Sequence, residues 1–242
     1  MPSISVIGES CLDEFVYCNA NRLAPDLPIP ILEVVEKTRN PGMAKNVHRN
    51  IVGYLPEAAL FTNSNWELNM KTRYVDFKTN HTFLRVDSYA EYPSANLESS
   101  MLDSDLIVIA DYDKGFLNED QIENICESNP NVFLDTKKIL GPWAHKARYI
   151  KINDYEYQRS APFLDPVLSE KIIHTRDKFG CDFQGTNYPV RLVEVGDASG
   201  AGDSFMAALV VAYVDTGDIL ESIKFANEKA ALAVSHRGVS TI

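Results

Sequence analysis

Short, nearly continuous apolar runs recur along the chain and predict buried strands. The clearest runs cover residues 3–8, 106–111, 131–135 and 149–153, with shorter ones at 58–61, 171–175 and 190–195. Runs of this kind are typical of parallel strands that are buried on both faces. Helical spacing of apolar residues lies between or after them, at 41–51, 118–128 and 219–236. This alternation predicts an α/β fold with a doubly wound, mostly parallel sheet flanked by helices.

A second type of pattern predicts a smaller antiparallel sheet. Residues 72–79 and 82–87 alternate between apolar and polar positions and are separated by Asn80-His81. Pro25, Pro28 and Pro30 precede an extended stretch at 31–37, and prolines at this density exclude a helix. These segments are candidates for strands with one polar face.

Composition narrows the class of protein. A chain of 242 residues forms one large α/β domain or two small ones. The 34 acidic and 23 basic residues give a net charge of -11, which disfavours nucleic acid as a partner. The sequence shows no window typical of a membrane span, so we expect no membrane partner and a cytoplasmic protein. The four cysteines and five histidines follow no metal-binding spacing, which indicates reduced, buried thiols.

Polar side chains recur where predicted strands end. Asp13, Asp111, Asp135 and Asn153 all follow or close an apolar run. In open α/β sheets ligands bind in the crevice outside the carboxyl ends of the strands. The pattern therefore predicts a ligand site along this edge.

The turn Gly200-Ala201-Gly202-Asp203 precedes a predicted buried helix. Small residues let the backbone approach an anion, and the first N–H groups of a helix have no acceptor within it. A carboxylate at Asp203 repels a phosphate that merely docks, so it fits better as a base acting on a group brought to the phosphate. The alternative is an ordinary helix start, with Asp203 as a favourable dipole partner. The spacing alone does not decide between the two.

Several further motifs carry a resemblance to a known family. They are Gly8-Glu9-x-x-Leu12-Asp13, the segment 22–30, Gly42-x-Ala44-x-Asn46-Val47-x-Arg49-Asn50, Lys71-x-Arg73, Leu84-Arg85-x-Asp87, Asp111-Tyr112-x-Lys114-Gly115, Asp135-x-Lys137, Asn153-x-x-Glu156 and Asp197-x-x-Gly200-Ala201-Gly202-Asp203. With these motifs in the family's order, the chain resembles the ribokinase-like (PfkB) carbohydrate kinases. Its pattern is most similar to the kinase domain of heptose 7-phosphate kinase, in a shortened form.

The resemblance implies one ribokinase-like kinase domain over residues 1–242, with a discontinuous β lid at about 14–38 and 70–88. It implies ATP-dependent phosphorylation of a hydroxyl on a sugar or sugar phosphate. Asp203 is then the general base, and the N–H groups of Gly200, Ala201 and Gly202 form the anion hole. Such a lid excludes water and can also form the interface of a homodimer.

The resemblance also implies ligands for the remaining motif residues. Asn153 and Glu156 would hold Mg²⁺ through water, as this ion keeps its hydration shell. The implied nucleotide-binding residues are Asn153, Thr175, Gly180, Asp197, Gly200, Gly202 and Asn227. The implied substrate-binding residues are Asp13, Gly42, Asn46 and Lys114, with Lys71 and Arg73 as further candidates to meet a phosphate already on the substrate. For each residue the alternative is a surface salt bridge or a helix cap.

The chain also departs from the family pattern. It is shortened between residues 61 and 71 and again at 158–167, and Glu9, Pro41 and Asp177 replace the family's usual residues. These departures leave two alternatives open. One is a catalytically weak relative that binds a sugar, a nucleotide or a partner for regulation, and the other is a nucleoside kinase of the same fold.

Overall fold

A buried eight-stranded sheet runs through the protein in the computed structural model, which describes residues 2–193 and 199–235. The strands of the described residues are β1 (Ile4–Gly8), β2 (Ser10–Leu23), β3 (Pro30–Met43), β4 (Ala59–Phe61), β5 (Met70–Asp76), β6 (Thr82–Ser88), β7 (Leu106–Asp111), β8 (Val132–Thr136), β9 (Tyr149–Asn153), β10 (Ile172–Thr175), β11 (Cys181–Phe183) and β12 (Thr186–Tyr188). The large sheet has the order β12-β11-β10-β9-β8-β7-β1-β4. Every pairing from β4 to β10 is parallel.

Helices cover both faces of this sheet. They are α1 (Ala44–Val52), α2 (Ser99–Leu102), α3 (Glu119–Ser128), α4 (Asp154–Ser160), α5 (Pro166–Ser169), α6 (Ala201–Thr216) and α7 (Ile219–Val234). One hydrophobic core joins α1, α6 and α7 to the sheet, and a second core on the other face includes α3 and α5. The predicted doubly wound α/β fold is confirmed. None of the helices within the described residues has the length and apolar character needed to span a bilayer.

Alternation along each strand assigns side chains to one of these two cores. In β7, Val108 and Ala110 pack on the side of α6, whereas Ile107 and Ile109 pack on the side of α3. Successive residues of a strand point to opposite faces of the sheet. The same rule separates the two acids that close neighbouring strands, because Asp135 shares the α6 face and Asp111 lies on the opposite one.

The edge hairpin formed by β11 and β12 was not predicted from the sequence. Its two-residue turn, Gln184-Gly185, has positive φ at both positions (48° and 74°), as a type I′ hairpin requires. Strands of three residues carry too little alternation to stand out, although a glycine in a two-residue turn was an available signal. The predicted strand at 190–195 is absent at 190–193, and its last two residues lie outside the described part of the chain.

The second sheet has the order β3-β2-β5-β6. Its outer pairs are antiparallel, and its central pair, β2 with β5, is parallel. The two 14-residue strands β2 and β3 are longer than the sequence predicted. Asp13 therefore lies within β2 and not beyond a strand end, and Gly42 belongs to the end of β3 instead of opening a helix.

Asp111 occupies a buried polar cluster on the α3 face. Its carboxylate accepts a hydrogen bond from the Thr136 hydroxyl and pairs with Lys138 at 3.0 Å. Burial and, to a smaller extent, the nearby Glu9 carboxylate raise the pKa of Asp111 to about 6, although Lys138 opposes the rise. The folded protein therefore binds this proton more tightly than the unfolded chain does.

We expect this group to make folding stability decrease as the pH rises from about 4 to about 6, because the unfolded chain releases the proton first. Two pKa units correspond to about 2–3 kcal/mol. Asp111→Asn cannot ionise and does not lose this stability. The unfolding free energy of the variant minus that of wild type, measured by urea unfolding, should therefore rise by about 2 kcal/mol from about pH 4.5 to pH 7. A difference between the two proteins that does not change with pH would contradict this assignment.

Candidate active site

The Asp203 carboxylate lies buried in the first turn of α6, where three parts of the chain meet. One oxygen accepts a hydrogen bond from the Asn46 amide of α1 at 2.9 Å. The other accepts one from the Tyr112 hydroxyl, on the loop after β7. Burial raises the pKa of Asp203 and these two hydrogen bonds partly offset the rise. The arrangement leaves a poorly solvated carboxylate with the raised basicity of a general base.

The glycine turn leads directly into this helix. Gly200 adopts the left-handed conformation, with φ 80°, and no side chain caps α6 in the described structure. Gly200, as the N-cap residue, therefore offers no side-chain acceptor to the first N–H groups of the helix. Gly202 packs closely, since a Cβ added there would lie 2.8 Å from the Lys151 ammonium. The backbone of this turn therefore lies against a cation.

A chain of alternating charges extends from this point to the start of α4. Lys151 pairs with Asp135 at 2.7 Å, Lys137 lies 3.4 Å from the same Asp135, and Lys137 also pairs with Glu156 at 2.5 Å. We call these four residues the charge chain. Burial alone would raise the pKa of Asp135, but Lys137 and Lys151 hold it below its usual value. Burial likewise opposes protonation of Lys137, but Asp135 and Glu156 raise its pKa above the ordinary value.

Asn153 and Glu156, the predicted Mg²⁺ residues, form the capping box of α4. The Asn153 side chain accepts from the Glu156 N–H at 3.0 Å, and Glu156 accepts from the Asn153 N–H at 2.8 Å. Both Glu156 oxygens thus have partners, one of them the Lys137 cation. This donor set fits a hydrated Mg²⁺ held through its water shell better than direct coordination. No group of three or more acidic, histidine or cysteine side chains suited to a metal occurs among the described residues.

The smaller sheet carries most of the predicted substrate-side residues. Asp13 of β2 pairs with Arg73 of β5 at 2.5 Å. The Asp13 carboxylate lies against the backbone of Gly42, leaving no room for a Cβ at that position. On the same strand as Arg73, Lys71 places its ammonium 5.1 Å from the centre of the Tyr112 ring. The structure therefore brings these four predicted substrate-side residues towards Tyr112.

Lys114 is placed differently. Its side chain is exposed, and its ammonium lies 5.0 Å from the centre of the Tyr89 ring. Its backbone N–H donates to the Glu9 carboxylate at 2.9 Å. It therefore lies on the Tyr112 loop without touching Asp203.

The predicted nucleotide residues divide into two groups. Thr175 ends β10 directly beside Asn153, its partner in the sheet register. Gly180 and Asn227 meet further along the edge hairpin: the Asn227 amide donates to the Tyr188 carbonyl at 2.9 Å, and a Cβ at Gly180 would collide with the same carbonyl. These contacts hold the hairpin against α7. Asp197 lies outside the described residues.

Sequence reasoning did not assign roles to the residues that complete the site. Tyr112 and Lys137 entered only as motif members, and Asp135 only as a motif member and a strand end. Lys151 was a stronger signal that went unused, because a lysine between Ile150 and Ile152 in a buried strand needs an ionic partner.

Glu9 completes the set. It is wholly buried and accepts hydrogen bonds from the backbone N–H groups of Tyr112, Lys114 and Phe116 at 2.8, 2.9 and 3.3 Å. It thereby fixes the loop that presents Tyr112 to Asp203. No motif spacing reveals this contact, because its donors are backbone groups.

Known proteins resemble this chain in both sequence and fold. A family model described as pfkB family carbohydrate kinase matches residues 44–242. The bifunctional protein HldE of Rhodopseudomonas palustris strain BisB18 is 26% identical over 300 aligned residues, which cover 99% of this chain and 61% of that protein. The alignment is longer than this chain, so the relative contains additional residues within the aligned region. The chain spans 60% to 64% of the length of such curated relatives.

Two solved structures show the same fold. A ribokinase from Thermotoga maritima superposes with a TM-score of 0.72 at 16% identity, covering 99% of this chain and 95% of that one. The ribokinase of Arabidopsis thaliana, complexed with ribose and ATP, gives a TM-score of 0.71 at 13% identity, with 98% and 94% covered. The similarity includes both the large sheet and the smaller one.

Proposed function

The chain belongs to the pfkB family of carbohydrate kinases, and from this premise we propose that it uses ATP to phosphorylate a hydroxyl of a sugar or sugar phosphate. The buried Asp203 carboxylate in the first turn of α6, which accepts hydrogen bonds from Asn46 and Tyr112, is the observation that carries the proposal. We include in it a single kinase domain over residues 1–242, with the smaller sheet acting as a lid. The four buried cysteines fit a reducing compartment such as the cytoplasm.

In the proposed reaction Asp203 removes the proton of the attacking hydroxyl. Asn46 and Tyr112 hold the carboxylate in place by donating to its two oxygens. The substrate hydroxyl would compete with Tyr112 for one of these oxygens as it enters. The raised pKa of Asp203 improves its match to a proton acceptor, provided that it is ionised at the working pH.

In this proposal the start of α6 stabilises the negative charge on the transferring phosphoryl group. The N–H groups of Gly200, Ala201 and Gly202 would donate to its oxygens, and the helix dipole favours negative charge there. Asn153 and Glu156 would hold Mg²⁺ through water, and this ion would neutralise nucleotide phosphate charge. Thr175, Gly180, Asp197 and Asn227 remain the proposed border of the nucleotide.

The wall opposite α6 suits a polyhydroxylated substrate. Asp13 accepts hydrogen bonds and Asn46 both donates and accepts them, which matches sugar hydroxyls. Lys71 lies above the Tyr112 ring without a carboxylate within ion-pair distance among the described residues, so it can meet a substrate phosphate. Lys114 and Arg73 would assist, although Arg73 already pairs with Asp13. These contacts support either a free or a phosphorylated sugar.

We expect Asp203→Asn to lower ATP-dependent turnover at least about 100-fold while leaving nucleotide binding nearly unchanged, because the substitution removes the base and keeps the volume. The measurement is ADP release over a panel of sugars and sugar phosphates. Asp215→Asn, at the exposed far end of the same helix, is the matched control and should turn over like wild type. Equal turnover in Asp203→Asn would exclude the base, and no turnover by wild type with any sugar would favour a regulatory binding protein.

The acid limb of the kcat/KM profile should lie above the ordinary carboxyl pKa of 3.8, because activity requires ionised Asp203. Tyr112→Phe removes a hydrogen bond that lowers this pKa, so its acid limb should move to higher pH. Profiles of both proteins test this. A limb that stays in place or moves to lower pH would show that Tyr112 does not control the base.

We further propose that the smaller sheet forms a homodimer interface. On the face opposite Asp13 and Lys71 it exposes Val34, Leu84 and Val86, which are 54%, 46% and 47% exposed. Apolar side chains grouped on one sheet face favour a protein partner. A second copy offers the same face by two-fold symmetry.

Sedimentation at micromolar concentration should give the mass of a dimer, and Leu84→Glu should convert it to a monomer because the glutamate would be buried unpaired. Leu192→Glu, at a residue 75% exposed outside both sheets, is the control and should remain dimeric. A monomeric wild type would contradict the interface.

A further inference from the structure

We propose that Lys151 is a catalytic residue whose ammonium contacts the phosphoryl group during transfer. This inference rests on the proposed kinase function and adds a side-chain cation to its backbone anion hole. Lys151 is absent from the motif residues to which the resemblance assigned roles.

Lys151 points from the middle of β9 to the start of α6. It is 3% exposed, and alternation along β9 places it on the same face as Tyr149, which packs against α6. Its ammonium lies 2.7 Å from Asp135 and next to the Gly202 backbone. A buried ammonium is costly unless it is paired. This ammonium has one carboxylate partner and lies beside the first turn of α6, so it can stabilise a second anion there.

Gly202 and Lys151 depend on each other sterically. A Cβ at position 202 would approach the Lys151 ammonium to 2.8 Å, closer than packed side chains allow. The glycine therefore has two effects at once: it lets an anion approach the backbone, and it leaves space for the ammonium beside that backbone. The cation therefore lies directly beside the first turn of α6.

The two lysines of the charge chain differ in their surroundings. Lys137 lies between two carboxylates, Asp135 and Glu156, which satisfy it on both sides. Lys151 has Asp135 on one side and the helix start on the other. An ammonium has three donors, and the bond to Asp135 requires one of them. Lys151 is thus the member of the chain that is positioned to donate to an incoming phosphoryl oxygen.

The step balances with Lys151 protonated throughout. A bond forms between the substrate oxygen and the γ-phosphorus, and the bond from that phosphorus to the bridging oxygen breaks, with its electron pair leaving on ADP. The hydroxyl proton passes to Asp203. Lys151 donates a hydrogen bond to a non-bridging oxygen and stabilises the charge in the transition state.

Lys151→Met tests this, because methionine keeps most of the volume and removes the charge. We expect kcat to fall about 100-fold or more, as for the loss of one oxyanion donor. Equilibrium binding of ADP should change by less than about threefold, whereas the gain in ADP affinity on adding aluminium fluoride, a mimic of the transferring phosphoryl, should be lost. Lys171→Met is the matched control: Lys171 donates to the His145 and Ala147 carbonyls at the opposite end of the sheet, so kcat should not change.

The double variant Asp135→Asn/Lys151→Met distinguishes a purely structural role of Lys151 from a catalytic one, because it leaves neither charge unpaired. If Lys151 only neutralises Asp135, the double variant regains turnover, and that result overturns the proposal. If Lys151 acts on the phosphoryl group, the double variant folds but remains inactive, with no response to aluminium fluoride. The double variant also serves if Lys151→Met alone does not fold.

The remaining outcomes distinguish the role of Lys151 from the proposed kinase function. If wild type is active and Lys151→Met keeps more than about a third of the wild-type kcat, the role of Lys151 is overturned. The proposed kinase function is then unaffected. Wild type that turns over no sugar overturns the kinase function, and the role of Lys151 with it.

Discussion

Buried carboxylates require partners, and this requirement organises the centre of the protein. Asp135 lies in β8 with 3% of its surface exposed, and without Lys137 and Lys151 its negative charge would be strongly unfavourable there. The charge chain that satisfies it connects β8 and β9 with the first turn of α4 and reaches the first turn of α6. Removing one member would leave a neighbour uncompensated, which costs more than a surface ion pair contributes. The relative positions of two helix N-termini are therefore fixed by electrostatics as well as by packing.

The approach to Asp203 from the smaller sheet depends on a second buried acid. Glu9 satisfies its charge with backbone N–H groups and thereby holds the loop of Tyr112. Tyr112 then contacts Asp203 through its hydroxyl, while its ring lies near the ammonium groups of Lys71 and Lys137. One side chain thus links Asp203, the charge chain and the smaller sheet. These contacts explain how the Tyr112 hydroxyl keeps a defined position although it lies on a loop.

The sequence predicted those parts of the molecule whose physics is local. Apolar runs reveal parallel strands because both strand faces are buried, and the glycine turn before α6 is visible because few residues tolerate its backbone. The full length of β2 and β3 was not predicted. Polar residues such as Asp13 and Glu14 interrupt the alternation of β2, and both side chains are buried only by tertiary contacts. Lys151 shows the same limit. Its presence in a buried strand implied a partner, but only the register of β8 with β9 identifies Asp135 as that partner.

The large sheet also acts as an insulating partition between two acids of opposite behaviour. Asp111 and Asp135 close neighbouring strands, yet one has a raised pKa on the α3 face and the other a lowered pKa on the α6 face. Because Asp111 and Asp135 do not share ion-pair partners, substitutions of Lys138 should combine additively with substitutions of Lys151. The two faces of the same strands can thus hold buried charges of opposite character without a shared ion pair.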